Sequence, residues 1–226
     1  MQAISHWLDT QKKAKLYVVN AHIFCEGYLN EAYRKLIQAG TLNTCDGVNV
    51  QRLVKWTSNQ HIDRLPGPDL FKKVVVDEAL GRRTHLFIGG TPEIAEGLER
   101  QLGSEGKNYF SPPFVKDPKE FDYSTLAGLV RTHNPDFIWI GLGAPKQEYV
   151  IDELYRHIDR GILVGVGAAF AFYSGLPELR RAPQWVLRLK LEWLYRLFQE
   201  PGRIAKRQSR NLKYLLLGYF KYRKGQ

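Results

Sequence analysis

The residues best suited to chemistry lie in Gly141-Leu142-Gly143-Ala144-Pro145-Lys146-Gln147-Glu148. An apolar run, Phe137-Ile138-Trp139-Ile140, precedes them and reads as a buried parallel strand; Tyr149-Val150-Ile151-Asp152-Glu153-Leu154 follows with helical spacing. Strand, glycine-rich turn and helix in that order suit the binding of phosphate. Glycines admit a bound group close to the backbone, and a helix N-terminus offers unpaired N–H donors at the positive end of its dipole. Proline fits the first helical turn, where its missing N–H loses nothing. Lys146 adds a cation, and Gln147 and Glu148 add polar reach. The pattern fits a nucleotide or sugar-phosphate site, and it also fits a plain tight turn. It is neither a P-loop, which needs a second Gly-Lys-Ser/Thr, nor a dinucleotide G-x-G-x-x-G, because Lys146 stands at the third glycine.

Asp46, in Thr44-Cys45-Asp46-Gly47, is the candidate base. A carboxylate at a strand end can reach a sugar hydroxyl and take its proton; the same pair also reads as an ordinary Asp-Gly turn. Asn20 ends the run Leu16-Tyr17-Val18-Val19 and either bonds a ligand or caps the next helix. Arg64-Leu65-Pro66-Gly67-Pro68-Asp69-Leu70 reads as a turn before a helix capped by Asp69, with Arg64 facing a phosphate or a neighbouring side chain. The six histidines show no ligand spacing, and neither an Asp-x-Asp motif nor a Gly-x-Ser-x-Gly elbow occurs. No metal and no cofactor is expected.

The elements that must position these residues alternate. Leu16–Val19, Leu42–Cys45, His85–Ile88, Phe137–Ile140 and residues 162–167 read as strands; 26–39, 48–57, 93–102, 118–132 and 146–158 read as helices. Thr91-Pro92-Glu93 is a helix start, with Thr as cap and Pro at the first position. The rhythm predicts an α/β, Rossmann-like fold with a mainly parallel sheet and flanking helices. Ligands in such folds sit at the carboxyl ends of the strands, so Asn20, Asp46, Gly89 and Gly141–Gly143 are expected to converge. Cys25 and Cys45 fit free thiols in a reducing cytosol. The first residues lack a signal-peptide pattern, and no apolar run is long enough to span a bilayer.

Charge divides the chain. Residues 180–226 hold thirteen Lys/Arg against Glu192 and Glu200, while the remainder holds 20 against 21 acidic residues. The expected organisation is a core over 1–183 and a basic helical appendage over 184–226. Residues 184–199 read as one helix with Arg188, Glu192, Arg196 and Gln199 on a face, which Glu200-Pro201-Gly202 ends. The next helix clusters Arg203, Lys206, Arg207, Arg210, Lys213, Lys221 and Lys224 opposite Ile204, Leu212, Leu215, Leu216, Tyr219 and Phe220, with Tyr214 and Leu217 as exceptions. That pattern suits an anionic membrane surface, and it also suits a helix packed on the core with a solvated basic face. RNA is the weaker competitor, since no RNA-binding motif accompanies the charge.

Taken together the pieces resemble the WecG/TagA/CpsF family of glycosyltransferases (glycosyltransferase family 26). The matching residues are Val19-Asn20-Ala21, Asp46-Gly47, Arg64 to Leu70, Phe87-Ile88-Gly89-Gly90, Gly141 to Glu148, Gly165-Val166-Gly167, Ser174-Gly175, Arg181-Ala182-Pro183, and Leu191-Glu192-Trp193-Leu194-Tyr195-Arg196-Leu197 with Glu200-Pro201 and Arg203. The resemblance implies an inverting, metal-independent bacterial enzyme. It would move a sugar from a UDP-sugar, often UDP-N-acetylmannosamine or its uronic acid, to a lipid-linked acceptor such as N-acetylglucosamine on undecaprenyl diphosphate. It implies Asp46 as base, Asn20 and Arg64 in the substrate pocket, and Gly141–Glu148 around the nucleotide. Arg196, Arg203 and Lys206 would sit in an appendage that reaches over the site and docks on the inner face of the plasma membrane. Self-association of the core is plausible for the family, and no nucleic-acid partner is expected.

Three departures stand out: Val18 where a threonine is frequent, Cys45 where alanine is frequent, and a short N-terminal stretch that lacks a first strand and turn, unless the gene start lies upstream. The competing class is a non-catalytic nucleotide- or RNA-binding protein with a basic arm. Asp46 together with Arg196 and Arg203 favours the transferase. If the tail closes the site only at a membrane, removing 200–226 is expected to abolish transfer and leave the core folded.

Overall fold

The protein is described from a computed structural model covering residues 1–189, 191–199 and 201–223; the side chains of Leu179, Glu192, Trp193, Arg196, Gln199, Pro201, Arg203 and Ile204 lie outside the described set. In chain order the first half runs α1 (Gln2–Asp9), β1 (Ala14–Val19), α2 (Ala21–Leu29), α3 (Glu31–Gln38), β2 (Leu42–Cys45), α4 (Val48–Ser58) and α5 (Gly67–Phe71), which continues into a π-helical turn at Lys72–Val76. Then come β3 (His85–Gly89), α6 (Pro92–Leu102), β4 (Lys107–Phe110), α7 (Tyr123–His133), β5 (Phe137–Gly141), α8 (Lys146–Arg156) and β6 (Ile162–Gly165). The chain closes with α9 (Ala169–Tyr173), α10 (Gln184–Arg188), α11 (Glu192–Gln199) and α12 (Pro201–Arg223).

The six strands form one parallel sheet in the order β2-β1-β6-β5-β3-β4. Both faces are covered, which is why β5 and β6 are continuous apolar runs and β1 and β3 are apolar apart from Lys15, paired with Asp152, and His85. Leu16, Val18, Phe87, Trp139 and Val164 point to one face and pack with Ile4, Phe71, Val74, Leu98 and Phe170. Tyr17, Leu86, Ile88, Ile138, Ile140 and Leu163 point to the other and pack with Ile23, Ile37, Leu126, Val130, Ile151 and Leu154. The Rossmann-like reading of the sequence holds.

Register then fixes the site. Val19 pairs with Cys45, Ile140 with Gly165 and Gly89 with Gly141. Asn20, Asp46, Gly89 and the Gly141–Pro145 turn therefore emerge along the same edge of the sheet.

Several element boundaries differ from the sequence pattern. The expected helix over 26–39 is two helices, because Asn30 is extended and its side chain accepts from Tyr33 N at 3.1 Å. Helix 118–132 shortens to α7, since Asp122 caps it through Thr125 N at 2.9 Å. Residues 184–199 divide into α10 and α11. Asp69 does not cap α5; Pro66 holds that position, and Asp69 in the first turn pairs with Arg181. Pro145 is the N-cap of α8, after a cis Ala144–Pro145 peptide, rather than its first helical residue. The strand expected over 162–167 is β6, which stops at Gly165.

Helix α12 lies against α2 and α4. Tyr214 meets Tyr28 at 5.5 Å between ring centroids, Tyr219 meets Trp56 at 6.0 Å, and Cys25 Sγ donates to the Asn211 carbonyl at 3.5 Å. Gly218 makes this approach possible: a Cβ there would sit 2.6 Å from the Phe24 ring. Leu215 and Tyr219 belong to this inward side, not to a continuous apolar side facing out. Leu212 (59% exposed), Leu216 (50%) and Phe220 (58%) face outward, and Lys206 and Lys213 are exposed as well. Among the described residues no helix is long and apolar enough to cross a membrane.

Candidate active site

Asp46 is placed by backbone pairing. Its N–H donates to Val19 O at 2.9 Å, and Leu65 N donates to Cys45 O at 2.8 Å, so the Arg64 segment lies against the edge of β2. Arg64 Nε donates to the Asp46 carbonyl at 3.2 Å. Asn20 does both things its position allowed. Its Oδ1 accepts from His22 N and Ile23 N at 2.9 and 3.1 Å, capping α2. That cap turns the amide, so Nδ2 faces Asp46 Oδ2 at 3.5 Å. Asn20, Asp46 and Arg64 thus form one half-buried polar cluster. Burial pushes the adjacent Cys45 thiol up, and the Asp46 charge adds to the effect.

The glycines of the neighbouring turn divide their work. Gly89 has φ 127°, and a Cβ on it would collide with the Gly141 backbone at 2.8 Å; a Cβ on Gly141 would meet the Phe170 ring at 2.4 Å. These two serve packing beneath the site. Gly143, with φ 76°, has open space over its Cα, so close approach of a ligand is available there. The first turn of α8 has no side-chain cap, and within it Gln147 N donates to Gly143 O at 3.0 Å.

Gln147 and Glu148 are 4% and 1% exposed and act from below. Gln147 Oε1 accepts from Gly143 N at 3.2 Å and from Gly167 N at 3.0 Å, tying the β5 and β6 turns together. Its Nε2 donates to Glu148 Oε1 at 2.7 Å, and Tyr33 OH donates to Glu148 Oε2 at 3.0 Å. Burial lifts the Glu148 carboxyl to about 7, against the pull of those two donors. Lys146 turns toward the 111–117 loop, where Nζ donates to Val115 O and lies 4.6 Å from the Phe114 ring centroid.

The model of the glycosyl transferase WecG/TagA/CpsF family matches residues 1–226. The chain belongs to this family. Two relatives are each an N-acetylglucosaminyldiphosphoundecaprenol N-acetyl-beta-D-mannosaminyltransferase. The one from Bacillus subtilis (strain 168) is 29% identical over 203 residues, covering 88% of this chain and 76% of the relative. The one from Bacillus spizizenii is 32% identical over 204 residues, covering 87% and 76%. The chain is therefore a glycosyltransferase of the WecG/TagA/CpsF family, and the competing reading as a non-catalytic binding protein falls away.

The structure brings Asn20, Asp46 and Arg64 together, and sets Gly89, Gly141, Gly143, Ala144 and Pro145 along the same edge. Gln147 and Glu148 stand beneath that edge rather than in the mouth. Lys206 is exposed on α12, and the side chains of Arg196 and Arg203 lie outside the described residues. So do those of Glu192 and Gln199, two members of the polar face expected over 184–199, and Lys224 of the basic face. Sequence reasoning passed over His22 and Tyr33, and counted Arg210 only as one cation of the basic face. His22 follows Asn20 by two positions, but no spacing rule marks it; Tyr33 reads as one apolar residue of a helix.

Proposed function

We propose that this glycosyltransferase moves a sugar from a UDP-sugar to the sugar of a polyprenyl-diphosphate-linked acceptor, inverting the anomeric carbon without a metal. The donor sugar is N-acetylmannosamine or its uronic acid, and the acceptor is N-acetylglucosamine on undecaprenyl diphosphate, in cell-surface polysaccharide or teichoic acid synthesis. The relatives' names support the transferred N-acetylmannosamine and the acceptor. The observation that carries the reading is the Asp46 carboxylate faced by Asn20 and backed by Arg64, next to a glycine turn open at Gly143.

In this reading Asp46 takes the proton of the acceptor hydroxyl as its oxygen attacks the anomeric carbon. The bond from that carbon to the UDP oxygen breaks, and negative charge develops on the leaving diphosphate. A general base contributes about 10²–10⁴-fold in such a step. The turn open at Gly143 takes the diphosphate side, and Lys146 joins it by leaving its partner Val115 O in the 111–117 loop. Arg196, Arg203 and Lys206 of the 184–226 appendage complete the clamp on developing charge. The 1–183 core does the chemistry. The outward apolar residues and cations of α12 hold the enzyme peripherally on the inner face of the plasma membrane, where the lipid acceptor lies.

The test is UDP release in EDTA, with a panel of UDP-sugars and a short-chain prenyl-diphosphate N-acetylglucosamine, for the parent protein and Asp46→Asn. Acceptor-dependent release with one donor, lost in the variant, supports the reading. Undiminished release in Asp46→Asn removes Asp46 as base, and no release with any UDP-sugar removes the donor assignment.

A further inference from the structure

His22 sits between two regions that the sequence treats as separate. Its Nδ1 lies 3.1 Å from Arg210 Nη2 on α12. A guanidinium only donates, so Nδ1 accepts and the ring proton resides on Nε2. The ring also lies against the Ala144 backbone in the turn between β5 and α8, a contact that favours its proton. Arg210 also donates to Glu26, one helical turn beyond His22, and His22 Nδ1 lies 3.6 Å from the same carboxylate. The contacts run in series: Glu26 fixes Arg210, Arg210 fixes His22, and His22 lies against the Ala144 backbone. Gln147 already holds the neighbouring Gly143 amide from below, and His22 is a second contact on the same turn. Burial, with Arg210 and Arg207 adding and Glu26 opposing, lowers the His22 pKa and keeps the ring neutral, as this tautomer requires.

We propose that His22 and Arg210 are positioning residues that couple the seating of α12 on α2 to the order of the Gly141–Pro145 turn. Docking of the C-terminal helix then prepares the donor cradle. The kinetic consequence rests on the proposed UDP-sugar reaction; the structural one does not.

The experiment compares Arg210→Met, His22→Leu, the double variant and His22→Gln, whose amide keeps one donor and one acceptor. Amide exchange over residues 141–147 is read in the full chain without substrate, with β5 as internal control. Arg210→Met is expected to speed exchange there about five-fold and to add nothing in the His22→Leu background, while His22→Gln stays near the parent. Donor KM is expected to rise by a similar factor, with kcat within about two-fold. Unchanged exchange in Arg210→Met, or additive effects in the double variant, would overturn the coupling. A parent without UDP-sugar turnover would sink the proposed reaction and leave the exchange comparison to decide this inference by itself.

Discussion

At the strand ends, Asp46, Asn20 and Arg64 are held by hydrogen bonds to backbone atoms that sheet register has already fixed. Among the described residues helix α12 is held by its inner side, through Arg210, Tyr214, Leu215, Gly218 and Tyr219, and turns Leu212, Leu216 and Phe220 to the outside. The first arrangement suits chemistry, which needs a carboxylate and a leaving-group site at constant separation. The second suits delivery, which needs a surface that another phase can take up. The contrast also bears on truncation. Removing 200–226 would uncover Phe24, Cys25 and Tyr28 on α2, so loss of activity would mix lost docking with lost packing. Substitutions that separate the two sides of α12 are the cleaner tools.

The largest effect should come from the strand ends. Asp46→Asn is expected to lower transfer by about a hundred-fold or more with the thermal midpoint nearly unchanged; a variant that unfolds early would assign Asp46 to stability instead. Next comes the inner side of α12. Gly218→Leu forces a side chain into the Phe24 ring, an overpacking cost of about 1–3 kcal/mol, and the midpoint by scanning calorimetry should fall by several degrees. An unchanged midpoint would mean that α12 is not seated as described. The smallest effect lies beneath the glycine turn. Burial raises the Glu148 carboxyl from 4.5 to about 7, so the folded chain holds that proton more tightly than the unfolded one. Stability from this group is fully present below about pH 4.5 and is lost as pH rises toward about 7. Glu148→Gln should flatten that decline, read as urea midpoints near pH 5 and pH 8; an equal decline in parent and variant would place the cause elsewhere.

Much of this was legible in the sequence for a physical reason. Strands buried on both faces must be mostly apolar, so β1, β3, β5 and β6 announced themselves despite Lys15 and His85, and the glycines, Asn20 and Asp46 marked their carboxyl ends. The edge strand β4 did not: Lys107-Asn108-Tyr109-Phe110 is short and only half-buried. Asn30 split an expected helix because its side chain competes for a backbone N–H, which hydrophobic period cannot register. Periodicity also gave α12 its faces without saying which one meets α2, so Leu215 and Tyr219 were grouped with residues that stay outside. The supports of the site were hidden most deeply. Tyr33 and Glu148 are 115 positions apart, and His22 and Arg210 are 188 apart; only the folded chain joins them.

The most direct test of this division of labour is one comparison on the triple variant Leu212→Ser, Leu216→Ser, Phe220→Ser, which leaves the inner side of α12 intact. Transfer would be measured to a prenyl-linked acceptor carried in anionic vesicles and to a short-chain acceptor in solution. The account predicts that vesicle co-sedimentation and vesicle-borne transfer fall by about ten-fold or more, while turnover of the dissolved acceptor stays at the parent level. Equal activity of variant and parent on both acceptors would contradict it.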